Sequence, residues 1–132
     1  MTLPLPNLNS PDLGRFWSGT RAHKLLVQRC ARCGYLRWPP TPGCPECLNF
    51  EHSWVEIRPE GTLYSFATYH RALDPRFSEL IPYTVAYVET VDGPRMIGTL
   101  SGEIDSFRVG AHVIAEFDDV NHEVTLVRWR QS

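Results

Sequence analysis

The stretch Cys30-Ala31-Arg32-Cys33 … Cys44-Pro45-Glu46-Cys47 decides the fold of the first part of this 132-residue chain. Two residues separate the cysteines of each pair, and ten residues lie between the pairs. A C-x2-C turn directs two thiolates at one point, and two such turns complete a tetrahedron around Zn²⁺. Because four thiolates leave no coordination position open, we predict one structural zinc ion per chain, bound by Cys30, Cys33, Cys44 and Cys47.

The same cysteines are also compatible with two disulfide bonds, a redox dithiol or an iron–sulfur site. The N-terminus lacks the charged start and apolar run of a signal peptide, and the chain has no stretch of about 18 apolar residues. These features predict a soluble, cytoplasmic protein without a membrane span. In that compartment thiols stay reduced, which favours metal binding over disulfides.

A short helix is predicted before the cysteines. Ser10-Pro11-Asp12 supplies a capping hydroxyl, a first-turn proline and an acid, which together are typical of a helix start. The aromatic side chains of this helix must cover either the rest of the chain or another protein, so it is a candidate docking surface. The apolar stripe that follows at helical spacing is Leu13, Phe16, Trp17 and Thr20. The candidate partner-docking residues are Phe16, Trp17 and Arg21.

The remaining sequence is typical of β-strands separated by turns. About five strands after the second cysteine pair, with no helix between them, favour a small antiparallel barrel, of which the OB-fold is the five-stranded version. A partly open sandwich is the alternative. The predicted division is an N-terminal helical segment at 1–23, a zinc ribbon at 24–50 and a barrel domain at 51–132. The predicted strands of the ribbon are Lys24–Arg29 and Tyr35–Trp38. Ser53–Ile57 and Gly61–His70 form either one long strand or two strands broken by Pro59-Glu60-Gly61, and they are followed by Tyr83–Thr90, Arg95–Leu100, His112–Asp118 and Glu123–Arg130.

Charge is distributed unevenly along the chain. Residues 1–47 carry six basic and two acidic side chains, a net +4, whereas residues 48–132 carry seven basic and thirteen acidic ones, a net −6. The overall charge of −2 argues against a protein that binds nucleic acid through its phosphates. The basic first third is either a solvated face or a docking surface for an acidic partner.

The sequence shows no catalytic motif. With all four cysteines assigned to the metal no thiol remains as a nucleophile, and the chain contains no G-x-S-x-G elbow, phosphate-binding glycine loop or H-E-x-x-H helix. An independent enzyme has only His70 in its favour, where a strand enters the long loop Arg71–Pro82. We therefore predict no catalytic residue.

Several motifs along the chain belong together: Phe16-Trp17-Ser18-Gly19, Lys24–Gly34, Trp38-Pro39-Pro40, Cys44-Pro45-Glu46-Cys47, Gly61–Phe66, Pro82–Val88 and Gly110. Through them the chain, from about Ser10 to Arg130, resembles the zinc-ribbon/OB-fold family first catalogued as domain of unknown function thirty-five. The resemblance implies a mainly β protein with an N-terminal helix, a rubredoxin-like zinc ribbon and a C-terminal five-stranded OB-fold barrel. It also implies a non-catalytic accessory subunit that binds a thiolase-like, ketosynthase-like or aldolase enzyme and helps hold or channel an acyl-CoA thioester.

Given that implied ligand, we expect an acyl-CoA thioester to approach the barrel near the loop Arg71–Pro82. Arginine suits phosphate through paired hydrogen bonds, and an aromatic ring can cover an adenine or an acyl chain. The loop arginines can instead pair with Asp74 and Glu79. The candidate acyl-CoA-binding residues are Tyr69, His70, Arg71, Arg76, Phe77 and Arg95.

The alternative function is binding of RNA or single-stranded nucleic acid, because zinc ribbons and OB-folds both serve nucleic acids and fold alone does not decide function. The acidic character of the barrel strands counts against it.

Overall fold

A computed structural model describes residues 4–132. It contains one α-helix, α1 (Gly14–Arg21), and two short 3-10 helices at Pro75–Phe77 and Ile104–Ser106. None of the helices in this part of the chain is long and apolar enough to cross a membrane. The strands are β1 (Leu25–Cys30), β2 (Leu36–Arg37), β3 (His52–Ile57), β4 (Glu60–Tyr69), β5 (Tyr83–Thr90), β6 (Arg95–Ser101), β7 (His112–Asp119) and β8 (Thr125–Gln131).

Helix α1 begins later than the predicted start at Ser10-Pro11-Asp12. The Ser10 side chain does accept a hydrogen bond from the Leu13 backbone N–H, at 3.3 Å, but it closes a turn that precedes the helix. The eight-residue helix is too short to be stable alone and depends on packing. Its buried Thr20 donates a hydrogen bond to the Thr125 backbone oxygen of β8, at 2.8 Å, which fastens the helix to the barrel.

The ribbon sheet has the strand order β2–β1–β3, and both pairings are antiparallel. The sequence placed β3 in the second module, but the structure pairs all six residues of β1 with β3. The ribbon sheet therefore extends to Ile57, past the predicted boundary at residue 50. Pro59 lacks a backbone N–H, and the break there separates β3 from β4 rather than interrupting one long strand.

The second sheet is a closed barrel with the order β4–β5–β6–β8–β7, in which β7 returns to pair with β4. This confirms the five-stranded OB-fold. All neighbours are antiparallel except β6 and β8, which run parallel and pair at only two positions. The β6–β8 contact is therefore the seam of the barrel, with the fewest pairs of ladder residues.

One hydrophobic core runs through the three predicted segments. Phe16 of the helix and Leu25, Val27 and Ile57 of the ribbon belong to the same cluster as the barrel interior, where Trp129 is fully buried. Because the segments share this core, a change in the ribbon affects the stability of the barrel as well.

Candidate zinc centre and binding surfaces

The four cysteine sulfurs form a compact cluster. Cys30 Sγ lies 3.5 Å from Cys47 Sγ, and Cys33 Sγ lies 3.6 Å from Cys44 Sγ. All four sulfurs lie within 4.8 Å of one another. A tetrahedral ZnS4 centre with bonds of about 2.3 Å has sulfur–sulfur edges of about 3.8 Å, whereas a disulfide bond requires about 2.05 Å. The donor set therefore fits one structural zinc ion and does not fit disulfides.

The two cysteine turns have matching backbone geometry. In the first turn Gly34 donates to the Cys30 carbonyl, and in the second Leu48 donates to the Cys44 carbonyl, at 3.1 and 2.8 Å. The residue at this position has a left-handed backbone conformation in both turns, with φ of 77° at Gly34 and 67° at Leu48. Glycine adopts this conformation without strain, whereas leucine does not. The second turn therefore carries backbone strain that the first avoids.

Electrostatics explain why this cluster requires a cation. The hydrogen bond from the Cys33 backbone N–H is the main cause that lowers the pKa of the Cys30 thiol to about 6. The Tyr35 backbone N–H has the same effect on Cys33, but burial and the hydrogen bonds with the other three cysteines outweigh it and raise the pKa of Cys33 to about 12. Four thiolates cannot share this volume without opposing charge, which Zn²⁺ supplies.

In the long loop, the structure groups the aromatic residues but not all of the predicted cations. The rings of Tyr69 and Tyr83 stack at 5.1 Å, and Phe77 joins them at 5.7 Å from Tyr83. Arg76 is held by Asp74, with Nη2 2.7 Å from Oδ2. The Arg76 side-chain hydrogen bonds also lower the pKa of Asp74. The alternative that a loop arginine pairs with a carboxylate of the same loop is therefore correct for Arg76.

Arg71 and His70 are exposed, and Arg71 makes no ion pair with any residue in 4–132. Arg95 lies elsewhere. It pairs with Glu89 at 3.0 Å and covers the Tyr64 ring at 4.1 Å. Arg95 pairs across the sheet with Glu89, which is six residues along β5 from the loop. Arg95 therefore lies about 20 Å from the loop end of β5.

Sequence reasoning missed an uncharged surface on the barrel. The outward positions of β4, β5 and β6 between the Arg95–Glu89 pair and the loop carry no charged side chain. The acidic residues that made the barrel look unfavourable for an anionic ligand lie partly on β7, where Glu116 and Asp118 pair with arginines of β8. Alternation of outward residues along β5 is the signal that could have revealed this surface. The outward residues are Ser65, Ala67, Tyr69, Tyr83, Val85, Tyr87, Ile97 and Thr99.

The three predicted docking residues have different environments. Phe16 is buried at 5% exposure, where its ring packs 4.2 Å from the Trp38 ring, so it belongs to the core. Trp17 is half-buried and Arg21 is exposed. Arg21 is one of five exposed basic residues of the N-terminal third that make no ion pair with any residue that the structure describes. This basic group comprises Arg15, Arg21, Lys24, Arg29 and Arg32.

One hydroxyl–histidine pair bears on the enzyme alternative. His112 Nδ1 lies 2.8 Å from Ser132 Oγ, and its Nε2 lies 3.7 Å from a Glu60 oxygen. His112 and Ser132 are exposed and the Glu60 side chain is 41% exposed, so water competes for each contact. A nucleophile needs a base held in a fixed, desolvated geometry, so we assign this group no catalytic role.

Comparison with known proteins agrees with this architecture. The family model of the ChsH2 rubredoxin-like zinc ribbon domain matches residues 17–53, and that of the ChsH2 C-terminal OB-fold domain matches residues 54–118. The fold and the cysteine site define a zinc ribbon joined to an OB-fold. The chain belongs to the DUF35 family of such proteins, which confirms the resemblance described above.

Three relatives illustrate the family. A probable enoyl-CoA hydratase alpha subunit of Thermomonospora curvata is 35% identical over 129 residues, which cover 96% of this chain and 39% of that subunit. The benzoylsuccinyl-CoA thiolase subunit BbsA of Thauera aromatica is 32% identical over 74% of this chain and 66% of BbsA. A solved structure described as an Ltp2-ChsH2(DUF35) aldolase superposes with a TM-score of 0.83 at 33% identity, covering 98% of both chains. This chain thus spans about two fifths of the length of the Thermomonospora hydratase subunit.

Proposed function

We propose that this chain is a non-catalytic accessory subunit of an acyl-CoA-transforming complex. It binds a thiolase-like, ketosynthase-like or aldolase enzyme and helps hold the thioester. The observation that carries the proposal is the similarity, at 33% identity over 98% of both chains, to a chain of the solved structure described as an Ltp2-ChsH2(DUF35) aldolase. The commitment of all four thiols to the metal cluster supports a role without its own cysteine nucleophile.

Charge supports a protein partner rather than nucleic acid. Five arginines outside the basic group lie within 4.0 Å of a carboxylate, which leaves fewer cations for phosphates. The basic group, in contrast, has no carboxylate partner among the described residues, and its Arg21 lies one helical turn from the half-buried Trp17 on α1. Aromatic residues and arginines dominate interface energetics, so Trp17 and Arg21 suit an enzyme with an acidic surface. The paired arginines are Arg58, Arg76, Arg95, Arg128 and Arg130.

The docking experiment uses the acyl-CoA enzyme that co-purifies with the chain from its native cell. The double variant Trp17→Ala/Arg21→Glu is expected to weaken binding in calorimetry at least about tenfold, because it removes an aromatic contact and reverses a charge. Its zinc content should not change. The pure chain should not turn over acyl-CoA by itself.

The control is Arg108→Glu, which reverses an exposed charge outside the basic group and should leave the affinity unchanged. Equal affinity of the double variant and the unaltered chain would remove Trp17 and Arg21 from the interface. Turnover by the pure chain that disappears in His70→Ala would replace the accessory role with an enzymatic one.

For the thioester, we propose that the phosphate-bearing end lies at the loop Arg71–Pro82. The loop offers the aromatic group of Tyr69, Phe77 and Tyr83 together with Arg71, a cation without a carboxylate partner among residues 4–132. The uncharged face of β4–β6 leads away from this group and imposes no repulsion on an anionic ligand.

Arg71 and Arg76 form a matched pair for testing this placement. Titration of the reconstituted complex with a CoA thioester should show about tenfold weaker binding for Arg71→Ala, or about 1.4 kcal/mol, because a charged phosphate contact is lost. Arg76→Ala should have a smaller effect, because Asp74 already occupies that guanidinium. If neither variant changes the affinity, the loop is not part of the site.

A further inference from the structure

The second cysteine turn presents two apolar side chains to solvent. Leu48 is 77% exposed and Phe50 is 72% exposed. The Phe50 ring rests against the start of the turn, since a Cβ atom at Gly43 would lie 3.3 Å from its Cε1. Single exposed apolar residues are ordinary on protein surfaces, so exposure by itself assigns no role to this pair.

The backbone of Leu48 supplies an independent observation. Among residues 4–132, two residues other than glycine have a left-handed φ, His23 at 60° and Leu48 at 67°. The side chain of His23 is held by its own chain, because Nε2 lies 3.0 Å from Asp119 Oδ1 and the ring stacks on Phe117 at 5.2 Å. Contacts of this kind offset the cost of a left-handed backbone.

For Leu48, contacts within the chain do not offset that cost. The first cysteine turn has glycine at the same position, Gly34, which adopts the left-handed conformation without strain. Leu48 gains little from burial, because most of its side chain is in solvent. Strained residues that the surrounding fold does not explain are typical of functional positions. We therefore expect the Leu48 side chain to make its stabilising contact with another molecule.

Hydrogen bonds hold this part of the chain in one conformation. The Leu48 N–H donates to the Cys44 carbonyl at 2.8 Å, and the Cys44 N–H donates to the Asn49 carbonyl at 2.9 Å. The Asn49 side chain accepts from the Glu51 N–H at 2.9 Å. A surface that is ordered before binding loses less conformational entropy on association. A protruding, ordered apolar pair is complementary to a concave apolar socket on another protein.

The charges beside the pair restrict the kind of partner. Glu46 lies within the turn and Glu51 directly follows Phe50, and both are exposed. Neither carboxylate forms an ion pair with any residue that the structure describes. An apolar centre with a polar rim is the usual anatomy of a protein interface, and complementarity requires the opposite charge on the partner. The carboxylates also disfavour nucleic acid and anionic lipid surfaces.

We propose that Leu48 and Phe50 insert into an apolar socket, edged by basic side chains, on the partner protein. That this partner is an acyl-CoA enzyme rests on the proposed function. The position of the contact rests on the exposed pair, the strained backbone and the two carboxylates. Because Arg21 requires an acidic surface and this pair a basic rim, the two contacts address different parts of the enzyme.

The test measures both the stability and the affinity of Leu48→Gly. In the zinc-loaded chain this variant should unfold at a higher denaturant concentration, because glycine removes the backbone strain, and its zinc content should not change. Its affinity for the co-purifying acyl-CoA enzyme in calorimetry should be at least about tenfold weaker, because the inserted side chain is lost. Phe50→Ala should weaken binding to a similar extent. A loss of folding cannot explain weaker binding by a more stable chain.

Val109→Gly is the matched control. It also removes an exposed apolar side chain, at 66% exposure, but from a barrel position whose φ is not left-handed. This variant should unfold at a lower denaturant concentration and bind the enzyme normally. The double variant Glu46→Lys/Glu51→Lys should weaken binding more at low than at high salt, because it reverses the charge beside the socket.

Three outcomes separate the possible occupants. Equal affinity of Leu48→Gly and the unaltered chain, or tighter binding of the charge-reversed variant, would overturn this inference alone. A dimer of the unaltered chain in sedimentation that Leu48→Gly dissociates would overturn it in favour of a second copy of the chain. If the unaltered chain does not bind the enzyme, the proposed function is wrong, and with it the partner named here.

Discussion

Replacing Cys47 with serine is expected to remove the zinc ion and to unfold at least the ribbon sheet β2–β1–β3. Zinc binding at a structural thiolate site contributes about 10–16 kcal/mol, which is comparable to or larger than the total stability of an ordinary domain. The loss should spread to the barrel because both parts share one core. Zinc content by mass spectrometry and hydrogen exchange of the β1 amides measure the two effects.

Ala31→Ser is the matched control, because it introduces serine at an exposed position of the first cysteine turn without removing a ligand. It should retain one zinc ion and full amide protection. Chelation of the unaltered chain under reducing conditions should reproduce the effect of Cys47→Ser. Full zinc occupancy in Cys47→Ser would contradict the four-cysteine assignment.

Gly61→Ala is expected to destabilise the barrel by about 3 kcal/mol or more, a large effect for a single methyl group. A Cβ atom at Gly61 would clash with the Glu89 carbonyl oxygen and approach Thr90 Cα to 2.8 Å. These are backbone atoms of the paired strand β5, which cannot move aside without opening the β4–β5 ladder. Denaturant unfolding followed by circular dichroism measures the free energy of unfolding.

The neighbouring variant Thr62→Ala removes an exposed side chain on the same strand and should change the stability by less than about 0.5 kcal/mol. If Gly61→Ala unfolds at the same denaturant concentration as the unaltered chain, β4 and β5 are farther apart at this point than the structure has them.

The elements that could be predicted are those with short-range signals. The cysteine spacing predicted the zinc ribbon, and the run of aromatic and β-branched residues between Pro82 and the turn at Asp92-Gly93 predicted the bounds of β5 as the structure has them. The position of β3 could not be predicted, because a strand is compatible with either sheet until its pairing partner is known. The break at Pro59 marks the end of a strand but carries no information about which partner the strand chooses.

The candidate binding residues show the same limit. Tyr69 and Phe77 are close in sequence, and the rings of both lie against Tyr83, whereas Arg95 follows a turn that places it at the other end of β5. The spacing of Phe16 along the helix is the same whether the apolar stripe is exposed or buried. In the structure its ring packs against Trp38, which places Phe16 in the core.

The sequence by itself determined the metal site, the fold class and the family, because each rests on spacing along the chain or on residue patterns within single strands. Only the tertiary structure decided that five of the arginines are paired with carboxylates while the basic group has no carboxylate partner among the described residues, and that β4–β6 present an uncharged surface. It also brought Trp17, Trp38 and Trp129 around one cavity. These features depend on strand register and on contacts between residues that are distant in the chain. Both are determined by how the shared hydrophobic core packs.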